Sequence, residues 1–524
     1  MPKARTRLFR RLRTSAPAER TATDGLPSFH GVARGGIANV AGAALSASVN
    51  LVLLVVIARA LPIPQAGAVF ATTSLFLLTA TACRLGVDVS IVHFLAGARA
   101  RNQPQDIAGY LRAGLVPVAI VGGVAAAVLT LTAPALLDLV LGDTAVPHGR
   151  ALMAALGVTV PVAATYDVVV GATRGLGAVR PTVVLERLVR PALQVILVTA
   201  AVAAGGQAFA VICAWAAPYA AVGVVAALWL RRLLPHGQQR TPSEHESDLR
   251  LFWRFTLPRA LAAMAQIALQ RLDILLVGAM RGAAAAAVYT AATRFLVLGQ
   301  LGNQAISYAV QPRLAMLVAL EDFASARRLY QLSTVWIMAL TWPLFLVALV
   351  AAPVVLEILG PSYDSGSSTM VVLALAMLAA SACGLVDIVL ITVGKTGWNL
   401  ADTLAAFVVN VALNVALIPA LGIAGAATAW AVSIVVRNCA ALTQIGRRFQ
   451  FHPVSRLSVT VGAQAVVCFA AVPALSAVLL GLRAPVIAVA VVAGALVYGW
   501  QLYRLRQRLQ LDVIVAPSSV ASRL

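Results

Sequence analysis

Between Arg254 and Met280 runs an apolar stretch that carries Arg259, Gln266, Gln270, Arg271 and Asp273. It is long enough to cross a bilayer, which takes about 20 mostly apolar residues. A charge at mid-membrane costs about 2.5–3.5 kcal/mol even on the lenient insertion scale. Arg259, Gln266, Gln270 and Asp273 fall on one face of a helix, so that face must point at protein or water rather than lipid. We read it as one wall of a polar cavity. Arginine there suits an oxyanion, because its planar fork engages two oxygens at once. A carboxylate there suits a coupling cation or a proton. Arg84 and Arg294 are the other intramembrane arginines of interest, and Asp88 and Asp387 the other carboxylates. Asn39, Ser46 and Asn50 form a similar polar stripe on the first apolar run. The competing reading is structural: each arginine is ion-paired or snorkels to an interface, and each aspartate neutralises a nearby arginine, with Arg271 and Asp273 as one such pair.

These residues need a scaffold, and composition defines it. The chain has 524 residues, 60% hydrophobic and 11% charged, with mean hydropathy +0.89. Apolar runs of about 20 residues recur from end to end, which marks an all-α polytopic membrane protein. No hydrophilic segment is long enough to fold a soluble catalytic domain. The net charge of +21 comes almost wholly from arginine and fits a positive-inside membrane protein better than a nucleic-acid binder. Five cysteines sit in apolar runs without CxxC spacing, and six histidines are scattered, so neither a disulfide framework nor a metal site is expected.

Fourteen spans are expected, near 36–58, 66–88, 107–131, 151–172, 182–203, 207–230, 255–279, 285–308, 331–358, 368–392, 399–418, 423–444, 457–480 and 483–503. With the N-terminus inside, one set of loops collects the basic N-terminal cluster, Arg231, Arg232, Lys395, Arg447 and Arg448, among others. The other set carries only Arg59, Arg150, Arg281 and Arg483. That asymmetry predicts both termini in the cytoplasm. Residues 66–78 lie over 285–298 at a constant offset, which suggests an internal repeat of the kind that builds many transporters. The expected organisation is a basic tail (1–34), a first six-span lobe (35–230), a polar linker (231–253), a second six-span lobe (254–445), two extra spans (446–503) and a basic C-terminal tail (504–524). The first tail, with Arg5, Arg7, Arg10, Arg11 and Arg13 around Leu8, Phe9 and Leu12, is either a surface helix on the membrane or a topology-setting tail.

Several segments resemble the polysaccharide-unit flippases, the oligosaccharide or O-antigen repeat-unit translocases of the MATE-like MOP superfamily. They are RGGIANVAGAALSASVNLVLLVVIARALPIPQAGAVFATTSL (34–75), LGVDVSIVHFLA (85–96), GATRGLGAVRPTVVLERLVRP (171–191), LDILLVGAMRGAAAAAVYTAATR (272–294) and VGKTGWNLADTLAAFVVNVALNVALIPALGIAGAATAWAVS (393–433). The resemblance spans about residues 34–445. His93 departs from it, standing where the family often has arginine, and so do Pro62 and Pro64 in the first loop.

The resemblance implies a monomer in the bacterial inner membrane. It implies movement of an undecaprenyl-diphosphate-linked oligosaccharide from the inner to the outer leaflet by alternating access. The implied partners are that lipid-linked oligosaccharide and, around it, a polysaccharide polymerase or glycosyltransferases. No cofactor is implied beyond a coupling Na+ or H+. On that reading Arg84, Arg259, Gln266, Gln270, Arg271, Arg294, Asn39 and Asn50 bind substrate, and Asp88, Asp273 and Asp387 serve ion coupling or gating. Asn410 and Asn414, one helical turn apart, are expected to bond helix to helix. The alternatives are a lipid II-type precursor flippase, a MATE-type cation-coupled drug exporter and, from another class, a membrane glycosyltransferase or polymerase. The longest outer loop (132–150) is thin in catalytic groups for such an enzyme, and no P-loop occurs for an ATP-driven pump.

Overall fold

The computed structural model describes residues 48–141, 149–234 and 242–509. Every regular element among them is helical. In chain order they begin with α1 (Ser48–Ala60), α2 (Ile63–Cys83), α3 (Val87–Ala100), α4 (Pro104–Leu131), α5 (Ala133–Leu141) and α6 (Gly149–Gly175). A π-helical stretch, Thr182–Val189, runs directly into α7 (Arg190–Ala203), and α8 (Ala208–Leu233) follows. Next come α9 (Pro242–Ala319), α10 (Phe323–Val350), α11 (Ala352–Glu357), α12 (Ser367–Ala382) and α13 (Val386–Thr392). The chain continues through α14 (Thr396–Leu421), α15 (Ile423–Phe449), α16 (Arg456–Val466), α17 (Val472–Leu480) and α18 (Ala484–Arg504).

Eleven helical segments among the described residues are long and apolar enough to cross a membrane. This is an all-α polytopic membrane protein. The difference from the expected fourteen has three local causes. The first expected span begins outside the described residues and enters as α1. The fifth is divided between the π-helical stretch and α7. The seventh and eighth run together in α9.

α9 counts 78 residues, yet it is not one rod. The Tyr289 hydroxyl donates to the Asp273 carboxylate at 3.1 Å. Sixteen residues of straight helix would hold these groups about 24 Å apart, so the chain folds back between them. It turns at Gly282, whose φ of 84° and ψ of 169° are open only to a residue without a β-carbon. α9 is therefore a hairpin with arms at 242–281 and 283–319.

Two π-helical stretches have a common cause. In each, an N–H bonds five residues back, Arg190 to the Leu185 carbonyl and Val472 to the Val467 carbonyl. In each, the next residue is proline, Pro191 or Pro473. Proline lacks the donor and crowds the carbonyl four residues earlier, so the ladder loosens by one residue there.

α2 packs against the α9 hairpin near its turn. Ala68 and Ala71 of α2 pack with Leu275 and Ala283 of α9. The backbones approach so closely that a β-carbon on Gly67 would collide with the Ala283 carbonyl oxygen. Close packing through small residues is how helices gain contact in lipid, where burial of apolar surface drives nothing. At this same end Arg59 donates to the Ile358 carbonyl at 2.6 Å, and Arg281 donates to the carbonyls of Ile418 (3.1 Å) and Pro419. Near the opposite end of α2, Gly86 (φ 74°) leaves room for the Ala260 backbone, which a β-carbon would approach to 2.7 Å. Beside it the His93 ring stacks on Phe255 at 4.6 Å, and Phe94 contacts both Phe252 and Phe255. The α2–α3 segment thus touches the α9 hairpin at both ends.

Candidate substrate-binding cavities

α9 separates two polar cavities of opposite character. The first, of about 410 Å³, is bounded by α1, α2, the π-helical stretch, α7, α8 and both arms of α9. Four arginines line it: Arg187, Arg190, Arg271 and Arg294. Glu186, Asn50, Thr73, Thr290 and Gln304 also line it. Arg190 donates to the Tyr219 hydroxyl at 2.6 Å and lies 4.8 Å from the centre of that ring. Arg271 and Arg294 have no ion pair among the described residues. The Arg271 Nε is buried without a hydrogen-bond partner. Arg271 and Arg294, without a carboxylate partner among the described residues, leave this cavity electropositive, and their donors match a multiply charged oxyanion.

The second cavity, of about 300 Å³, is bounded by α9, α10, α12, α13, α14 and α15. Its polar lining is mostly neutral amide and hydroxyl, chiefly Gln266, Gln270, Gln300, Asn303, Gln304 and Ser307 on α9, set among apolar side chains. The charges present are the pair Asp387 and Arg437, joined at 2.9 Å. Gln304 lines both cavities.

The expected binding face is thus divided. Gln266 and Gln270 line the amide cavity, while Arg271, Arg294 and Asn50 line the arginine cavity. Arg259 lines neither. It is exposed, with its guanidinium 3.5 Å over the Phe255 ring and a bond of 3.0 Å to the Phe255 carbonyl. Arg84 also lies outside both, ion-paired to Asp167 (3.1 Å) and Asp88 (3.4 Å) and bonded to the Thr81 hydroxyl at 2.6 Å. For Arg84, Asp88 and Asp387 the ion-pair alternative describes the geometry. Asn39 lies outside the described residues.

Asp273 has no basic partner among the described residues, contrary to the pairing with Arg271 considered from sequence. Its buried carboxylate accepts from Tyr289 and, at 2.9 Å, from the Asn414 amide. Asn414 bonds α14 to α9, as its type and spacing suggested. The described residues hold no group of three or more His, Cys, Asp and Glu side chains able to bind a metal.

Glu186, Arg187 and Arg190 were not singled out from sequence. They were legible as three ionisable residues in five positions, ahead of Pro191, within an apolar run. Gln300, Asn303, Gln304 and Ser307 were missed too, though their spacing is that of one helical face. Amides cost less in a bilayer than charges and so attract less notice.

Many apolar helices around two polar cavities, one cationic, define a multi-pass membrane transporter. Comparison with known proteins places it further. A family model described as polysaccharide biosynthesis protein matches residues 32–318, and the MatE model matches residues 258–416. This chain belongs to the polysaccharide biosynthesis protein family, a flippase family of the MOP superfamily. Its fold is similar to that of the lipid II flippase MurJ in an inward closed conformation, with TM-score 0.67, 10% identity, and coverage of 90% of this chain and 99% of that one. An inward-facing multidrug resistance MATE family transporter of the MOP superfamily gives TM-score 0.64 at 15% identity, over 77% of this chain and 94% of that one. A MOP superfamily transporter from Pyrococcus furiosus, described as having a binding pocket of reversed polarity, gives 0.54 at 16% identity, over 80% and 95%. Among curated protein sequences none matches this chain significantly.

Proposed function

We propose that this protein flips an undecaprenyl-diphosphate-linked oligosaccharide from the inner to the outer leaflet of a bacterial cytoplasmic membrane, with both termini in the cytoplasm. The observation that carries the reading is the arginine cavity. A diphosphate crossing apolar lipid must exchange its water for other donors, and forked guanidiniums supply two each. Arg271 and Arg294 carry no carboxylate partner among the described residues, so their charge is available to a ligand. A drug exporter for organic cations would have the opposite charge at this place. The lipid tail would stay outside the bundle while the two six-span lobes rock about the cavities.

Asp273 is the carboxylate we assign to the coupling ion. Its neighbours Tyr289 and Asn414 orient it without neutralising it. Its oxygens and the amide oxygen of Asn414 are hard ligands suited to sodium, and the same carboxylate could instead take a proton.

The test is translocation of a fluorescent undecaprenyl-diphosphate oligosaccharide in proteoliposomes under an imposed sodium or proton gradient. A hydrogen bond to a charged group contributes about 1.5–3 kcal/mol, so removal of each arginine should slow transport roughly 10- to 100-fold. Arg271→Ala/Arg294→Ala should therefore abolish measurable flipping in a folded protein. Arg259→Ala, at an exposed position outside both cavities, should leave it nearly intact. Full transport by the double variant would sink the assignment of these arginines. No transport by the wild type under either gradient would sink the function.

A further inference from the structure

We propose that the amide cavity is a glycan subsite, which takes the neutral sugar residues of the substrate while the arginine cavity takes its charged group. The proposal rests on the flippase reading above and assigns the parts of one ligand to two places. Six carboxamides line this cavity: Gln266 and Gln270 from one arm of α9, Gln300, Asn303 and Gln304 from the other, and Asn438 of α15, which donates to the Ile434 carbonyl at 2.8 Å. None of the five side chains on α9 makes a hydrogen bond with another described residue. Such a set has no structural task, and in a membrane span it is costly unless something polar fills the space.

Its chemistry selects the ligand. A carboxamide both donates and accepts, so it pairs with hydroxyls, which do the same. Arginines alone would favour anions, and carboxylates alone would favour cations. Trp430 adds a partly buried ring to the wall. An indole offers a flat apolar face, suited to the C–H face of a pyranose, beside a donor N–H. The charges here, Asp387 and Arg437, cancel each other at 2.9 Å and leave the cavity nearly neutral. Gln304 borders both cavities, so a ligand can pass from one to the other without leaving polar surroundings.

The test measures binding to the purified full-length protein. The probes are bare undecaprenyl diphosphate and the same lipid carrying a tetrasaccharide of hexoses, of N-acetylhexosamines or of deoxyhexoses. The wild type should bind at least one tetrasaccharide lipid more tightly than the bare lipid. Gln300→Ala/Asn303→Ala should erase roughly tenfold of that advantage and leave affinity for the bare lipid unchanged. Gln266→Leu/Gln270→Leu, which keeps side-chain bulk, is the second variant and should act in the same direction. Arg271→Ala/Arg294→Ala should weaken every probe alike and preserve the ratio. The glycan subsite is overturned if no tetrasaccharide lipid binds better than the bare one, or if both folded amide variants keep the wild-type ratio. It is also overturned if those variants weaken the bare lipid equally. Tight, arginine-dependent binding of the bare lipid in any of those cases would leave the flippase reading standing. No binding of any probe would end both.

Discussion

At the scale of single residues, polar groups inside the helices divide into those that are satisfied and those that are not. Arg84 has two carboxylates and a hydroxyl, Arg437 has Asp387, and Asp273 has Tyr289 and Asn414. Arg271, Arg294 and the five carboxamides of the α9 arms have no such partner among the described residues. Sequence listed most of these residues but could not sort them, because a partner such as Asp167 or Asn414 lies on another helix. Arg259 resembled a binding group by its spacing, yet it stacks on Phe255 one turn away on the same arm of α9. A satisfied group should show its value in stability. Asn414→Ala leaves the buried Asp273 carboxylate with one donor fewer. It should cost about 1–2 kcal/mol, read as a lower melting temperature in detergent. An unchanged melting temperature would mean that water replaces the amide and that Asn414 serves a ligand instead.

At the scale of elements, sequence was most informative where backbone chemistry is local. Apolar length located the spans to within a few residues at most ends, and the gap between the expected seventh and eighth spans falls on the turn at Gly282. It could not show that Pro191 turns the preceding residues into a π-helical stretch and brings Glu186, Arg187 and Arg190 to one cavity, since the register of a ladder depends on packing. Helix ends give a direct test. Asp322 caps α10 by accepting from the Ser325 N–H at 3.0 Å. Hydrogen bonding by the Ser325 side chain, and then by its backbone N–H, stabilises the charged form and lowers the carboxyl below its ordinary value of 3.8. A lowered folded-state value means the cap contributes above the ordinary value and is lost as pH falls through the lowered one. Asp322→Ala should therefore melt below the wild type at neutral pH. The gap should close at pH below the carboxyl range, and a gap that persists in acid would assign the effect to something other than the charged cap.

At the scale of the molecule, the α2–α3 segment is joined to the α9 hairpin at both ends, by small residues at Gly67 and Ala283 and by aromatic rings at His93 and Phe255. The apolar pattern placed α2 and α9 along the chain but not against each other, because a linear pattern does not state which helices touch. A transporter that alternates must part these contacts in turn. In a variant lacking the five native cysteines, cysteines at positions 93 and 255 joined by a short bis-maleimide should stop transport, while either cysteine modified alone should not. Transport that continues in the bridged protein would show that this end need not open.

The shared wall has a consequence for how such proteins diversify. Both arms of α9 face both cavities, so residues 266–307 carry most of the carboxamides and two of the four arginines. Positions 266, 270, 300 and 303 can change without disturbing Arg271 or Arg294, because neighbouring helical residues point in different directions. On the proposed reading, a lineage would retune its cargo by editing one hairpin while Arg271 and Arg294 stay in place, so the hairpin would serve as an exchangeable cassette.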